Sequence, residues 1–189
     1  MSSRIPQNFF ANDCLVVAPA LVGKLLVRRF PDGSTTSLRI SETEAYRGEE
    51  DTACHAHRGC TPRTEVFYRR GGTLYVYLCY GIHHLLNIVT GPEGIPQAVL
   101  IRACIDAEGP GRLTRRLHIE KEFFNRRELD GNNALWLEDD GQRFEIIQRT
   151  RIGIGYASLE DQQRLWRFCI GQRLSDDAKH MTMSPSPMT

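Results

Sequence analysis

The chain has 189 residues, of which 41% are hydrophobic and 25% charged, so it is large enough for one domain with a hydrophobic core and has an ordinary globular composition. It contains no apolar run long enough to span a membrane, and its first residues lack the charged-then-apolar order of a signal peptide. Its six cysteines are scattered, which favours reduced thiols and a cytoplasmic location over a disulfide framework.

The net charge of +1 conceals an uneven distribution of charge. Almost all of the 24 basic residues are arginines, which suit bidentate contacts with phosphate, although a GC-rich genome would enrich arginine as well. Basic residues concentrate in 58–70 and 112–127, and acidic residues in 42–51 and 138–140. A protein whose charges are segregated in this way can present a basic face to DNA.

The N-terminal part of the chain predicts a short helix. Asn12 or Asp13 can cap a helix over residues 14–21, which Pro19 bends and Gly23 ends.

A β-hairpin with two carboxylates follows. Residues 24–30 and 36–43 are typical of strands, and a Pro-Asp-Gly-Ser turn joins them. Alternation continues beyond the second strand and places Glu42, Glu44 and Tyr46 on one face. Two neighbouring carboxylates can simply form a solvated face. The alternative is a carboxylate at a strand end, beside an aromatic ring, where it can deprotonate water.

The next segment offers four side chains that are common zinc ligands: Cys54, His55, His57 and Cys60. Structural zinc sites generally use two separated pairs of ligands, whereas these four fall in one short segment with no second pair nearby. The spacing therefore disfavours a metal site.

A helix start is predicted immediately afterwards. Thr61 can act as the cap, Pro62 suits the first helical position, and Thr64 or Glu65 can close the first turn. The exposed amides of that turn and Arg63 could hold a phosphate.

Residues 73–78 alternate and are rich in β-formers, which predicts a strand with Leu74, Val76 and Leu78 on one face. The opposite face carries Tyr75 and Tyr77.

The end of this strand predicts a hairpin with an aromatic tip. Tyr80-Gly81 is typical of a turn, and residues 85–90 are typical of the strand that returns from it. Tyr80 and His83 should therefore lie at the tip of the hairpin. Exposed aromatic side chains beside a second tyrosine can unstack and hold nucleobases. An ordinary amphipathic hairpin, with its tyrosine hydroxyls towards water, is the alternative.

A series of motifs runs through the chain in a fixed order. Its members are Glu42-Thr-Glu-Ala-Tyr46, His55, Thr61-Pro-Arg63, Gly72-Thr-Leu-Tyr-Val-Tyr-Leu-Cys-Tyr-Gly81, Asn87, Ala98-Val-Leu-Ile-Arg-Ala103, Gly109-Pro-Gly-Arg-Leu113 and Arg151-Ile-Gly-Ile-Gly155. The series resembles the alkyladenine (3-methyladenine) DNA glycosylase family, and the resemblance spans about residues 8–174.

The resemblance implies an α+β fold: a single mixed domain with a curved, largely antiparallel sheet, short helices and a protruding β-hairpin that intercalates into DNA. The domain would occupy residues 1–174. Residues 175–189 have the composition of a disordered tail.

The implied activity is hydrolysis of the N-glycosidic bond of alkylated or deaminated purines flipped out of duplex DNA. Matching the motifs position by position gives three groups of residues. Those that activate or hold the attacking water are Glu44 as general base, Arg102 and the backbone carbonyl of Ile152. Those that surround the flipped base are Tyr46, His55 and Tyr77 as walls and Asn87 as the floor that rejects guanine. The residue that contacts DNA is Tyr80, which fills the vacated stack. Thr61 and Arg63 are expected to contact DNA as well, because of the phosphate site predicted above at the helix start.

The expected partner is damaged double-stranded DNA, and no membrane partner is expected. The chain should be a monomer that needs no metal or cofactor and acts at the nucleoid. Strand cleavage would need an amine nucleophile, and Lys24, Lys121 and Lys179 all lie away from the predicted pocket, so the enzyme should be monofunctional. Two rival hypotheses are a metal-dependent hydrolase and a non-catalytic nucleic-acid-binding module.

Overall fold

The structure is a computed structural model that describes residues 2–129 and 134–174. The strands are β1 Ser3–Arg4, β2 Leu25–Arg29, β3 Thr35–Tyr46, β4 Leu74–Cys79, β5 His83–Val89, β6 Ala98–Cys104, β7 Leu135–Asp139, β8 Phe144–Arg149 and β9 Arg167–Arg173. The α-helices are α1 Cys14–Leu21, α2 Pro110–Arg116, α3 Lys121–Phe124 and α4 Leu159–Gln163. Short 3₁₀ helices lie at Gln7–Ala11, Gly48–Glu50, His55–Arg58 and Glu65–Tyr68.

The strands form one curled antiparallel sheet in the order β1-β7-β2-β3-β6-β5-β4, and β9 pairs with both β3 and β8. The predicted α+β class, with a single mixed domain, a curved antiparallel sheet and short helices, is therefore confirmed. The predicted tail, residues 175–189, lies outside the described residues.

The N-terminal predictions are confirmed at α1. The Asp13 carboxylate accepts a hydrogen bond from the amide of Leu15 at 2.9 Å and caps the helix, which contains Pro19. Gly23, with φ +85°, then turns the chain into β2. The helix packs against β3, where the Thr43 hydroxyl donates to the carbonyl of Ala18 at 2.8 Å.

The long strand β3 carries the predicted acidic segment and joins the two halves of the sheet. Its first half pairs with β2, and its second half pairs with β6 on one side and β9 on the other. The register against β6 shifts on both sides of Glu42, which marks an irregularity of the β-bulge type.

The second hairpin forms from β4 and β5. Tyr80 and Gly81 both have positive φ, +51° and +72°, and the amide of Ile82 donates to the carbonyl of Cys79, so the predicted turn is confirmed. The returning strand begins at His83, two residues earlier than predicted.

One face of β4 departs from the expected pattern. Leu74 and Val76 are buried, but Leu78 is 45% exposed because the strand extends beyond the core at that point. The hairpin therefore carries exposed apolar side chains near its end.

The helix start predicted at Thr61 takes a different form. The Thr61 carbonyl accepts from the amides of Thr64 and Glu65, and the Thr61 hydroxyl caps the turn by accepting from the Thr64 amide at 3.2 Å. The helix itself is 3₁₀ and begins only at Glu65. The predicted capping is correct, and the predicted helical residues are wrong, because the chain closes a single turn here before it continues.

Two buried clusters position the site. The main core lies between α1, α2 and the sheet. A smaller cluster lies on the other face of the β4–β5 hairpin and contains Cys54, Ala56, Val66, Phe67, Tyr75, Val89 and Ala98. Tyr46 and Tyr77 pack on this smaller cluster, so the aromatic residues predicted to hold a base are supported from behind.

Candidate active site

Glu44 lies near the end of β3 and is fully buried. Its Oε1 accepts a hydrogen bond from the backbone amide of Ile152 at 2.9 Å, and its Oε2 accepts one from the Tyr46 hydroxyl at 2.8 Å. The Arg102 Nε lies 3.5 Å from Oε1. The structure thus brings together the residues predicted to activate water, although the Ile152 group that contacts Glu44 is its N–H and not its carbonyl.

Burial raises the pKa of Glu44 above its ordinary value, while the Ile152 amide, Arg102 and the Tyr46 hydroxyl act in the opposite direction. Burial and the neighbouring Glu44 also raise the pKa of Tyr46 well above its usual range, so Tyr46 stays a hydrogen-bond donor. A carboxylate whose pKa is raised by burial is a better base than one in water.

His55, Tyr75 and Tyr77 form an aromatic group across from Glu44. The His55 Nδ1 lies 3.0 Å from the Tyr75 hydroxyl, and the His55 and Tyr77 ring centroids are 4.7 Å apart. Burial and the nearby Arg63 lower the pKa of His55 to about 4, so the imidazole is neutral at neutral pH. Tyr75 is itself buried and stacks on Tyr77, with their centroids 5.3 Å apart.

A cleft of about 750 Å³ connects the acidic and aromatic groups, a size typical of small-molecule sites. The predicted site residues that line it are Glu44, Tyr46, His55, Arg63, Tyr77, Tyr80, Arg102 and Ile152. A recess of about 30 Å³ continues from this region towards Asn87. Asn87 is buried there, and its side-chain amide donates to the carbonyl of Tyr75 at 3.1 Å.

The residues predicted to contact DNA differ in how they are placed. Tyr80 at the hairpin tip is 92% exposed and borders the cleft. Arg63 reaches inwards, with its Nε 3.4 Å from the Tyr75 hydroxyl and its Nη2 3.5 Å from the His55 Nε2. Thr61 lines neither the cleft nor the recess, and its hydroxyl is engaged with Thr64.

The four possible zinc ligands do not converge. The described residues contain no group of three or more His, Cys, Asp or Glu placed to hold a metal ion. His55 faces Tyr75, the His57 Nδ1 lies 2.7 Å from the carbonyl of Glu49, Cys54 is buried and Cys60 is exposed. In the part of the chain that the structure describes, no helix is long and apolar enough to cross a membrane.

Sequence reasoning missed three features of the site. Tyr156 lines both the cleft and the recess, and its hydroxyl donates to the carbonyl of Ala53 at 2.8 Å. Arg112 and Arg115 from α2 border the cleft, and the basic stretch 112–127 was the signal that could have placed them. Tyr156 had no comparable signal beyond following the Arg-Ile-Gly-Ile-Gly motif.

The third missed feature is a buried ion pair behind the cleft. The Arg151 guanidinium donates to both oxygens of Asp51, at 2.6 and 2.8 Å, and to the carbonyl of Ala45 at 2.9 Å. Its central carbon also lies 4.9 Å from the centre of the Tyr46 ring. This pair fixes the backbone next to Glu44 and next to its hydrogen-bond partner Ile152, since Ala45 follows Glu44 and Arg151 precedes Ile152.

Comparison with known proteins gives a consistent result. The chain matches the family described as "Methylpurine-DNA glycosylase (MPG)" over residues 8–107 and 105–173. A relative from Psychrobacter cryohalolentis, with the name "Putative 3-methyladenine DNA glycosylase", is 42% identical over 186 residues, or 83% of this chain and 87% of that protein. Relatives with the same name occur in Borreliella afzelii, 44% identical over 87% of this chain and 94% of theirs, and in Methanocella arvoryzae, 38% identical over 92% and 98%.

Proposed function

We propose that the chain, which belongs to the methylpurine-DNA glycosylase family and is a DNA glycosylase, hydrolyses the N-glycosidic bond of alkylated or deaminated purines with a water activated by Glu44. The substrate class is 3-methyladenine, 7-methylguanine, hypoxanthine and ethenoadenine in duplex DNA. The observation that carries the proposal is the fully buried Glu44 carboxylate at an aromatic-lined cleft.

In this reaction the bond between the sugar C1′ and the purine nitrogen breaks, and its electron pair leaves with the purine. Water adds to C1′, and Glu44 accepts the proton that the water loses. The carboxylate also stabilises the positive charge that develops on the sugar as the purine departs. The Tyr46 hydroxyl and the Ile152 amide each hold one oxygen of Glu44 and so fix its orientation. Arg102 and the Ile152 carbonyl hold the water.

The flipped purine lies between Tyr46, His55 and Tyr77. Electron-rich ring faces bind an electron-poor alkylated base more tightly than a normal base. His55 is neutral at neutral pH, so it adds a hydrogen bond without repelling a cationic lesion. Asn87 on the floor of the recess excludes the exocyclic amine of guanine.

The hairpin and the cleft rim engage the duplex. Tyr80 enters the space that the flipped nucleotide leaves, which offsets part of the cost of unstacking it. Arg63, Arg112 and Arg115 line the cleft and would contact phosphates, while Thr61 shapes the turn that carries Arg63. The protein acts as a monomer on damaged double-stranded DNA.

The proposed enzyme leaves the DNA strand intact. Among the described residues, Lys24 pairs with Asp139 at 2.6 Å and Lys121 lies in α3, and neither lines the cleft. Without an amine at the sugar, no Schiff base forms and the abasic product stays full-length.

The test is single-turnover incubation with a duplex containing one central hypoxanthine, in the presence of EDTA and with borohydride in a parallel reaction. Free hypoxanthine should appear, the strand should break only after alkali, and no protein–DNA adduct should be trapped. Activity that disappears with EDTA and returns with zinc would contradict the proposal, and so would a borohydride adduct that is lost when one lysine is replaced.

A further inference from the structure

Glu42 lies beside the proposed general base but has no role in the reaction described above. Glu42 and Glu44 lie two residues apart on β3, and both carboxylates approach Arg102. The register against β6 is irregular on both sides of Glu42, and irregularities of this kind are frequent next to active sites.

Arg102 is shared between the two carboxylates. Its Nε lies 3.6 Å from the Glu42 Oε2 and 3.5 Å from the Glu44 Oε1, both longer than an ordinary N–H···O bond. This Nε is buried and makes no hydrogen bond to any described residue. Arg102 is therefore attracted by both carboxylates without closing on either.

Glu42 is anchored from its far side. The Arg167 Nη1 makes a very close contact with the Glu42 Oε1, and the Cys169 Sγ lies 3.5 Å from the same oxygen. The Arg167 Nε donates to the carbonyl of Thr150 at 2.7 Å, two residues before Ile152. Arg167 thus connects Glu42 to the segment whose Ile152 amide donates to Glu44.

We propose that Glu42 is a positioning residue for the glycosylase reaction: held by Arg167, it draws the Arg102 guanidinium away from Glu44 and keeps the Glu44 carboxylate available as a base. Because Glu42 and Arg102 are each only 18% exposed and Glu44 is fully buried, water screens these interactions weakly. The proposal rests on the role of Glu44 given above.

The charged and titratable groups around Glu44 come from four parts of the chain. They are Glu42 and Tyr46 on β3, Arg102 on β6, Arg167 and Cys169 on β9, and Arg151 and Tyr156 before α4. Helix α1, which also packs on β3, carries no charged side chain. The negative charge of Glu42 and the positive charge of Arg167 should shift the pKa of Glu44 in opposite directions, and both shifts can be measured.

The experiment is the pH profile of single-turnover hypoxanthine release by the wild type, Glu42→Gln and Arg167→Gln. Glu42→Gln removes a nearby negative charge and frees Arg102 to close on Glu44, so the midpoint of the acid limb should move down by about one pH unit. Arg167→Gln releases Glu42 to take Arg102 and removes a positive charge near Glu44, so the midpoint should move up. Glu93→Gln, which removes one charge from an exposed loop, is the matched control and should leave the midpoint in place.

Opposite shifts with an unchanged control support the proposal. An unchanged midpoint in Glu42→Gln, shifts of both variants in the same direction, or a wild-type profile without an acid limb would each overturn it. Circular dichroism identifies a variant that does not fold, in which case the other variant decides alone. Glu44→Gln distinguishes failure of the Glu42 proposal from failure of the proposed function. If Glu44→Gln releases base normally, the proposed function fails whatever Glu42 does.

Discussion

Two arginine–carboxylate groups lie near the end of β3, and they differ in how tightly they are closed. Arg151 and Asp51 form a bidentate pair at 2.6 and 2.8 Å, and both side chains are fully buried. Arg102 comes no closer than 3.5 Å to Glu44 and 3.6 Å to Glu42, and it is partly exposed to the cleft.

The closed Arg151–Asp51 pair has a structural role, whereas the open group around Arg102 belongs to the proposed reaction. The closed pair also holds the carbonyl of Ala45 and so fixes the backbone beside Glu44. In the open group the Arg102 Nε makes no hydrogen bond to any described residue, which suits the water-holding role proposed for Arg102. Replacing a residue of the first group should therefore reduce stability, and replacing a residue of the second should reduce the rate of the reaction.

The largest effect on stability should come from the closed pair. Asp51→Ala leaves the Arg151 guanidinium buried without a carboxylate, so the free energy of unfolding should fall by about 3–5 kcal/mol. Urea unfolding followed by circular dichroism measures this loss. Glu160→Ala is the matched control, because it breaks an exposed ion pair with Arg164 and should cost less than about 1 kcal/mol. Equal losses in the two variants would mean that the buried Arg151–Asp51 pair contributes no more to stability than an exposed ion pair.

The local parts of this arrangement were predictable from the sequence, and the long-range parts were not. Alternation in residues 41–46 and 73–78 indicated the two strands, the shared face of Glu42 and Glu44, and the tyrosine pair. By contrast, Arg151 and Asp51 are 100 residues apart, and no pattern in either segment indicates their contact. The pairing of β9 with β3, which brings Arg167 to Glu42, is equally non-local.

Family resemblance supplied what periodicity could not. The roles of Arg102 and Ile152 were predicted only by matching motifs, and the structure places both beside Glu44. Local reasoning failed at Leu78, because alternation shows which face a side chain takes and not where the core ends. It also placed a helix after Pro62 where the chain forms a single turn and then a 3₁₀ helix.

A smaller effect on stability should come from His55, which lines the cleft in the aromatic group with Tyr75 and Tyr77. Its pKa is about 4 in the folded protein against about 6.5 in the unfolded chain, so the unfolded chain binds more protons between these values. The contribution of His55 to stability is complete above about pH 6.5 and falls as the pH decreases towards 4. Between pH 7 and 4.5 the wild type should lose roughly 2 kcal/mol more than His55→Asn, measured by urea unfolding. Parallel pH dependences in the two proteins would mean that His55 is not held neutral by its surroundings.

The smallest effect should come from the hairpin tip. Tyr80→Ala removes the side chain that fills the vacated stack, and base–aromatic stacking contributes about 1–3 kcal/mol, so binding to lesion-containing duplex should weaken by about tenfold. A fluorescent base analogue beside the lesion reports flipping directly. Phe123→Ala removes an aromatic side chain that is 67% exposed away from the cleft, and it should change neither signal. Unchanged flipping in Tyr80→Ala would make the tip an ordinary exposed turn.

The single-turnover rate of Glu44→Gln shows whether Glu44 activates the water that replaces the purine. The substitution keeps the size of the side chain and removes its basicity, so hypoxanthine release should slow by about 10²–10⁴-fold while affinity for the duplex changes by less than about threefold. A variant that retains a tenth of the wild-type rate would contradict the account and would make Glu42 the first alternative for the general base.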